Sequence, residues 1–448
     1  MTWPEAFINR MQTQLGAEES QAFFEALQAE APVSIRLNPK KFQLDIQLES
    51  VPWASNGRYL SARPNFASDP LWHAGAYYVQ EASSMFLEQV FGFVKSKFNG
   101  PIKVLDLCAA PGGKSTHLLA MCEHDDVVVS NEVIKSRLGV LLENIHKQGY
   151  NNSIVCHADS SDFEALGPLF DVIVVDAPCS GEGLFRKDPQ ATNEWSDSNI
   201  QTCELRQQRI LDQIQHCLLP GGYLIYSTCT YNPGENQAQM ERLMQNGFAP
   251  VAWTNQSPQA YQWQCYPHQI KGEGFYIALL QKQNAGADAV QIKPKYLKPV
   301  KPFEELPLGL DTADVLVQIE DNLHLVPQNT LSLYENALHK LHCVGLGSPV
   351  GSFLQKRFSP SEHLPFSLGF NAQAYPIQTL DQTAALNYLS KQILPYQGNQ
   401  KGLTVIQYKG CNLGWGKFAG NRINNLFPSE WKLRMMPKAE QFFSLDNW

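Results

Sequence analysis

Short apolar runs alternate with amphipathic stretches along this chain, most densely between residues 100 and 282. Lys103-Val104-Leu105-Asp106-Leu107, Val127-Val128-Val129-Ser130-Asn131-Glu132, residues 153–159, residues 171–176, residues 222–227 and a late run at 275–280 each read as a buried strand. Between them, residues 114–121 predict a helix, and Leu138, Leu141, Leu142 and Ile145 recur at helical spacing. Leu205, Ile210, Leu211, Ile214 and Leu218 predict one face of a long amphipathic helix. Strands apolar along their whole length, separated by amphipathic helices, predict an α/β fold with a mostly parallel, doubly wound sheet covered on both faces.

The flanks are less regular. Phe7, Met11 and Leu15, then Ala22, Phe23 and Leu27, predict helices in the first thirty residues; Pro32 and Pro39 frame an extended piece. A further helix is predicted from Tyr77 to Phe93. The pattern fades near residue 283, where a small, polar stretch leads into a Lys/Pro run that predicts an extended linker. Beyond it lies a mixed α+β pattern, then strand-like residues 403–408 and the run Gly414-Trp415-Gly416-Lys417-Phe418. The division expected is an N-terminal α/β domain over 1–74, the sheet domain over 75–284, a linker over 285–302, a mixed α+β domain over 303–385 and a small β-rich module over 386–448.

Composition narrows the classes. With 44% hydrophobic and 17% charged residues in 448, the chain has the apolar mass for large cores, which excludes dominant disorder. No basic segment with an apolar run opens it, and no stretch nears the roughly 20 apolar residues of a membrane span. The ten cysteines are scattered without a C-x-x-C pair, against a disulfide framework or a metal site, so a reducing cytoplasmic location and no metal are expected. The net charge of −8 argues against a polyanionic partner until it is divided: residues 1–290 carry −11 and residues 291–448 carry +3. Residues 386–448 hold eight bases against three acids, interleaved with aromatics, a pattern suited to phosphate contact and base stacking.

The strand ending at Asp106 runs through Cys108-Ala109-Ala110-Pro111-Gly112-Gly113-Lys114-Ser115 into a helix. Glycines there let the backbone approach a ligand, and a helix N-terminus offers free N–H groups. A phosphate-binding P-loop would need glycine where Cys108 stands. The better reading is a nucleoside at the carboxyl ends of the strands. Glu132 ends the second strand, where it can bond ribose hydroxyls, and Asp159 ends the third, near an adenine amino group.

The fourth strand enters Asp176-Ala177-Pro178-Cys179 and the fifth enters Ser227-Thr228-Cys229. Neighbouring strands would bring both cysteines and Asp176 to one cleft. The strings DLCAAPGGKS (106–115), DAPCSGEG (176–183) and STCTYNPGEN (227–236) resemble, in order and spacing, the motifs of the S-adenosylmethionine-dependent RNA cytosine-C5 methyltransferases. The string GAYYVQEASSM (75–85) and the C-terminal extension are most similar to a bacterial branch acting on 16S ribosomal RNA.

That resemblance implies a Rossmann-like methyltransferase core, a PUA-like RNA-docking module at 386–448, and S-adenosyl-L-methionine as cofactor. It implies that Cys229 is the nucleophile, that Cys179 assists removal of the C5 proton and release, and that Asp176 bonds N3 of the base. It places the cofactor at residues 108–114, Glu132, Asp159 and Asp176. DNA cytosine methyltransferases use a Pro-Cys cysteine, so chemistry alone leaves Pro178-Cys179 open as the nucleophile. Arg186 and Lys187 could grip displaced backbone or lie on a solvated loop. The implied partner is ribosomal RNA within the small subunit, at cytosine 1407, with a monomer as the expected state. A different RNA such as tRNA, or a non-catalytic RNA-binding assembly factor, are the alternatives. Deleting 386–448 is expected to weaken RNA binding and to spare cofactor binding.

Overall fold

The computed structural model describes residues 3–43, 47–254, 260–283, 297, 299–301, 314–354 and 357–445. Most of the linker predicted over 285–302 lies outside the described residues.

The sheet domain is built on β1 (Lys103–Asp106), β2 (Val127–Asn131), β3 (Ser153–Cys156), β4 (Phe170–Asp176), β5 (Leu218–Thr228), β6 (Gln262–Cys265), β7 (Phe275–Lys282) and β8 (Cys343–Leu346). Their spatial order is β6-β7-β5-β4-β1-β2-β3-β8, and a ninth short strand, Phe248–Pro250, pairs with β7. The five central strands are parallel; β7 runs antiparallel to β5, and β8 antiparallel to β3. Strand order reverses between β1 and β4, the switch point at which a doubly wound sheet opens a crevice. Alternation explains the layers. Leu105, Val129, Ile173 and Tyr226 pack on one face with Ile210, Leu211 and Ile214 of the helix Asp197–Ile214. Val104, Val128, Val174 and Ile225 face the other way, onto Val90, Leu118, Leu119 and Leu141.

The expected helices of the first thirty residues are present as Glu5–Leu15 and Ala17–Gln28. Their buried Phe7, Met11, Phe23 and Leu27 do not pack on the rest of the N-terminal region. They pack on Phe185, Trp195, Ile200 and Tyr231 of the sheet domain.

Two sequence expectations are corrected. The helix predicted from Tyr77 to Phe93 begins only at Leu87. Tyr77–Val79 is a strand paired with Val33–Leu37, because an aromatic and β-branched tripeptide beside an open strand edge prefers the ladder. In the long helix Leu205 is 66% exposed and Leu218 already belongs to β5. The buried stripe runs instead through Ile200, Cys203, Gln207, Ile210, Leu211 and Ile214, started by Ser196, whose hydroxyl caps the Asn199 amide at 3.2 Å.

The C-terminal region is woven into the rest of the chain. β8 lends the central sheet its edge strand, and its neighbours form a four-stranded antiparallel sheet over Asp314–Ile319, Asn322–Pro327, Ser348–Leu354 and Arg357–Pro360. The last module is a five-stranded sheet centred on Gly402–Tyr408 and Cys411–Ala419. Its Leu386, Tyr388, Ile406, Phe427 and Trp431 share one core with Val33, Ile35, Leu60, Phe66 and Leu71 of the N-terminal region. Asp69 fastens the two, accepting from the Tyr77 hydroxyl at 2.8 Å and the Leu445 amide at 3.1 Å.

Candidate active site

The crevice at the switch point is a cavity of about 520 Å³. Of the residues expected at a cofactor, Cys108, Ala110, Glu132, Asp159 and Asp176 line it, together with Cys179 and Cys229. Ala109, Pro111, Gly112, Gly113 and Lys114 form the turn behind that wall. Gly112 has φ +112°, a left-handed conformation, and a side chain there would press on Asn144 and Leu141. The turn is clamped by Asn144, which donates to the Pro111 carbonyl at 2.8 Å, and by Arg137, which donates to the Ala110 carbonyl.

The strand-end acids differ in environment. Asp106 is buried, and Ser115 donates to one of its oxygens at 2.6 Å while the other has no protein partner. Burial pushes its carboxyl up to about 7. Glu132 is buried at the cavity wall, accepting from the Ile134 amide at 2.8 Å and pairing with Arg137 at 3.3 Å. Asp159 is partly exposed, caps Ser161 at 3.1 Å and pairs with Arg209 at 3.1 Å. Burial pushes its carboxyl up, but the hydrogen bonds from Ser161 and the pairing with Arg209 together outweigh it and hold the carboxyl below the usual range.

The raised Asp106 value has a consequence for stability. Between the ordinary carboxyl value of 3.8 and about 7 the folded chain binds more protons than the unfolded one, so stability falls as pH rises through that window. Asp106→Asn removes the titration. Relative to wild type, the variant should gain roughly 4 kcal/mol between pH 4 and pH 8. Urea unfolding at the two pH values checks this; an unchanged difference would refute it.

The two thiols meet as expected, with Sγ atoms 3.3 Å apart. The hydrogen bond to Cys229, then burial and the nearby carboxylate of Glu235, push the Cys179 thiol well above its ordinary value. Asp176 lies beside them, accepting from Ser227 at 2.7 Å and from Lys114 Nζ at 2.7 Å. Burial opposes the Lys114 charge, but Asp176 outweighs it and holds the ammonium up, with Cys229 adding to the effect. Gly183 explains the close spacing of the two loops. Its amide donates to the Cys229 carbonyl at 2.8 Å, and a Cβ there would lie 2.3 Å from the Gly274 oxygen.

Sequence reasoning missed several residues that hold this arrangement. Asn131 stitches three strand ends, donating to the carbonyls of Leu107 and Ala158 at 3.1 and 3.0 Å and accepting from the Ala158 amide at 3.0 Å. Glu235 accepts from the Ser180 amide and from Gln207, both at 2.9 Å, tying one cysteine loop to the other. Buried Glu182 accepts from Trp195 at 2.8 Å and from the Tyr231 amide at 3.1 Å. Glu182 and Glu235 stand inside the motif strings, which was their only signal. Arg186 is not on a solvated loop: its side chain is largely buried, donating to Glu273 at 3.1 Å and the Gly272 carbonyl at 2.7 Å. Lys187 beside it is exposed. Among the described residues there is no cluster of potential metal ligands and no helix long and apolar enough to cross a membrane.

A doubly wound parallel sheet with this cavity at its switch point is the Rossmann-like fold of methyltransferases. The solved "Methyltransferase Homolog Protein" of Pyrococcus horikoshii superposes with a TM-score of 0.53 at 30% identity, covering 62% of this chain and 95% of that one. NSun6 from the same organism, solved with SFG, shares the fold at a TM-score of 0.54 and 19% identity, covering 63% and 98%. Residues 98–281 match the family model of the 16S rRNA methyltransferase RsmB/F, residues 3–82 that of the N-terminal domain of 16S rRNA methyltransferase RsmF, and residues 377–433 that of the RsmF PUA domain. Ribosomal RNA small subunit methyltransferase F of Aeromonas salmonicida (strain A449) is 31% identical over 89% of this chain and 90% of its own length. That of Erwinia tasmaniensis is 31% identical over 96% of each. The chain belongs to the ribosomal RNA small subunit methyltransferase F family, and is an rRNA methyltransferase with a C-terminal PUA domain.

Proposed function

We propose that this chain methylates C5 of a cytosine in 16S ribosomal RNA, cytosine 1407 by family resemblance, using S-adenosylmethionine and a transient bond between Cys229 and the base. The observation that carries the reading is the pair of thiols 3.3 Å apart, with Asp176, in the wall of the same cavity as the strand-end acids. The residues present fit the cofactor. The cavity lies within the roughly 300–1,000 Å³ of small-molecule sites. Glu132 stands in the cavity wall where ribose hydroxyls would lie, and one oxygen of the buried Asp106 carboxyl has no protein partner. When bound, S-adenosylmethionine supplies an electrophilic methyl group on a sulfonium.

Cytosine C5 is a poor nucleophile, and a thiolate added at C6 makes it a good one. Cys229 forms the S–C6 bond, and Asp176 bonds N3, which carries a proton in the adduct. C5 then takes the methyl group. Loss of the C5 proton to a base and breakage of the S–C6 bond restore the ring and free Cys229, with Cys179 assisting release. Lys114 pairs with Asp176 at 2.7 Å and so brings a positive charge to the Asp176 side of the crevice. A paired cytosine must leave its stack to reach the crevice.

The test is methyl transfer from labelled cofactor to 16S rRNA, free and in small subunits, with bisulfite mapping of the product. One methylated cytosine, absent from cells lacking the protein, is expected. Label on a base other than cytosine would overturn the reading.

A further inference from the structure

The N-terminal helix Glu5–Leu15 lies far in sequence from the motif loops, yet it makes polar contacts with both. Arg10 Nη2 lies 2.6 Å from a carboxylate oxygen of Glu182. Glu182 follows Cys179 by three residues, its side chain has no solvent exposure, and the same oxygen accepts from the Tyr231 amide at 3.1 Å. Tyr231 follows Cys229 by two residues. Gln14, one turn along the same helix face, donates to the Tyr231 carbonyl at 3.3 Å and to the Tyr266 hydroxyl at 2.8 Å. The peptide at Tyr231 is thus held on its amide side through Glu182 and on its carbonyl side by Gln14.

Packing follows the same two arms. Phe7 meets Phe185, on the Cys179 loop, edge-on at 5.0 Å, and Phe23 meets Tyr231, on the Cys229 loop, edge-on at 5.0 Å. A buried carboxylate that bridges two loops is strongly placed only while its counter-charge is present. Here that counter-charge comes from outside the methyltransferase core.

We infer that Arg10 and Gln14 are positioning residues for the reaction, acting through Glu182 and Tyr231 to keep the Cys179 and Cys229 loops in register. The N-terminal hairpin is then a working part of the active site. Cofactor binding does not depend on it, since none of its residues lines the cavity. The inference rests on the assignment of the two cysteines to the chemistry.

The experiment compares Arg10→Met, Arg10→Lys and Gln14→Ala in the full chain. One readout is steady-state methyl transfer. The other is capture of a trivalent arsenical, phenylarsine oxide, which bridges two close thiols and needs no RNA. Cys343→Ser is carried throughout, because Cys343 and Cys156 form a second close pair at 3.0 Å. Arg10→Met should lower kcat at least tenfold and weaken arsenical capture several-fold, with KM for RNA and cofactor affinity within about twofold. Arg10→Lys should recover most of both losses. Gln14→Ala, which leaves the ion pair in place and serves if Arg10→Met does not fold, should move both readouts the same way by less. Unchanged kcat and unchanged capture overturn the inference. Weakened capture with unchanged kcat would leave the hairpin holding the two loops and would overturn its role in the reaction.

Discussion

Cys179→Ala protein incubated with 16S rRNA and S-adenosylmethionine should accumulate a covalent protein–RNA complex that survives denaturing electrophoresis, whereas Cys229→Ala should form none. The thiols are 3.3 Å apart, so distance alone does not assign their roles. Their surroundings differ. Cys179 shares a hydrogen bond with Cys229, is buried and lies near the Glu235 carboxylate, all of which favour its neutral form. The resemblance to the RNA cytosine-C5 methyltransferases assigns the attacking role to Cys229. A neutral thiol suits the step in which the S–C6 bond breaks, and a thiolate suits the step in which it forms. Loss of a group that assists proton transfer slows a step by about 10²–10⁴-fold, enough for the adduct to persist through a gel. Formation of the complex by Cys229→Ala and not by Cys179→Ala would reverse the assignment and make Pro178-Cys179 the nucleophile, as in DNA methyltransferases.

The candidate site is legible in the sequence because its residues stand at strand ends. Buried parallel strands read as continuous apolar runs, and the loops leaving their carboxyl ends must share one edge of the sheet. Asp106, Glu132, Asp159, Cys179 and Cys229 could therefore be gathered from the pattern alone. What could not be read were the contacts that cross from one region to another. Phe7 and Phe23 show helical spacing but not which surface they cover. Glu182 and Glu235 look like ordinary solvated acids until Trp195, Tyr231, Ser180 and Gln207 are seen around them. Leu205 lies off the buried face for a related reason: that face runs from Cys203 to Ile210 through Gln207, a polar residue buried because Glu235 and the Pro178 carbonyl satisfy it. Hydropathy patterning assigns polar positions to water, and it fails where a buried polar group has found partners.

Truncation after residue 385 should abolish cooperative folding of the N-terminal region, and not merely remove an RNA-docking module. The expectation from sequence that 386–448 can be deleted while cofactor binding stays normal assumes that the module has its own core. It does not, because Leu386, Tyr388, Ile406, Phe427 and Trp431 share one core with Val33, Ile35, Leu60, Phe66 and Leu71. Replacing one such buried aromatic is already severe: Phe427→Ala should cost about 3–5 kcal/mol, a large share of the roughly 5–15 kcal/mol by which domains are usually stable. Urea unfolding of Phe427→Ala, followed by fluorescence and by protection of the N-terminal strands from hydrogen exchange, should show both regions loosening together. Docking must therefore be tested by charge and not by deletion. Lys417 and Arg422 are exposed on the module's sheet, and reversing both to Glu should leave the unfolding midpoint near wild type. If they meet phosphates, RNA affinity should fall at least tenfold and the slope of log affinity against log salt should shrink by up to about 2. Equal RNA affinity at every salt concentration would place the docking surface elsewhere and leave the module the role its core demonstrates, that of closing the N-terminal sheet.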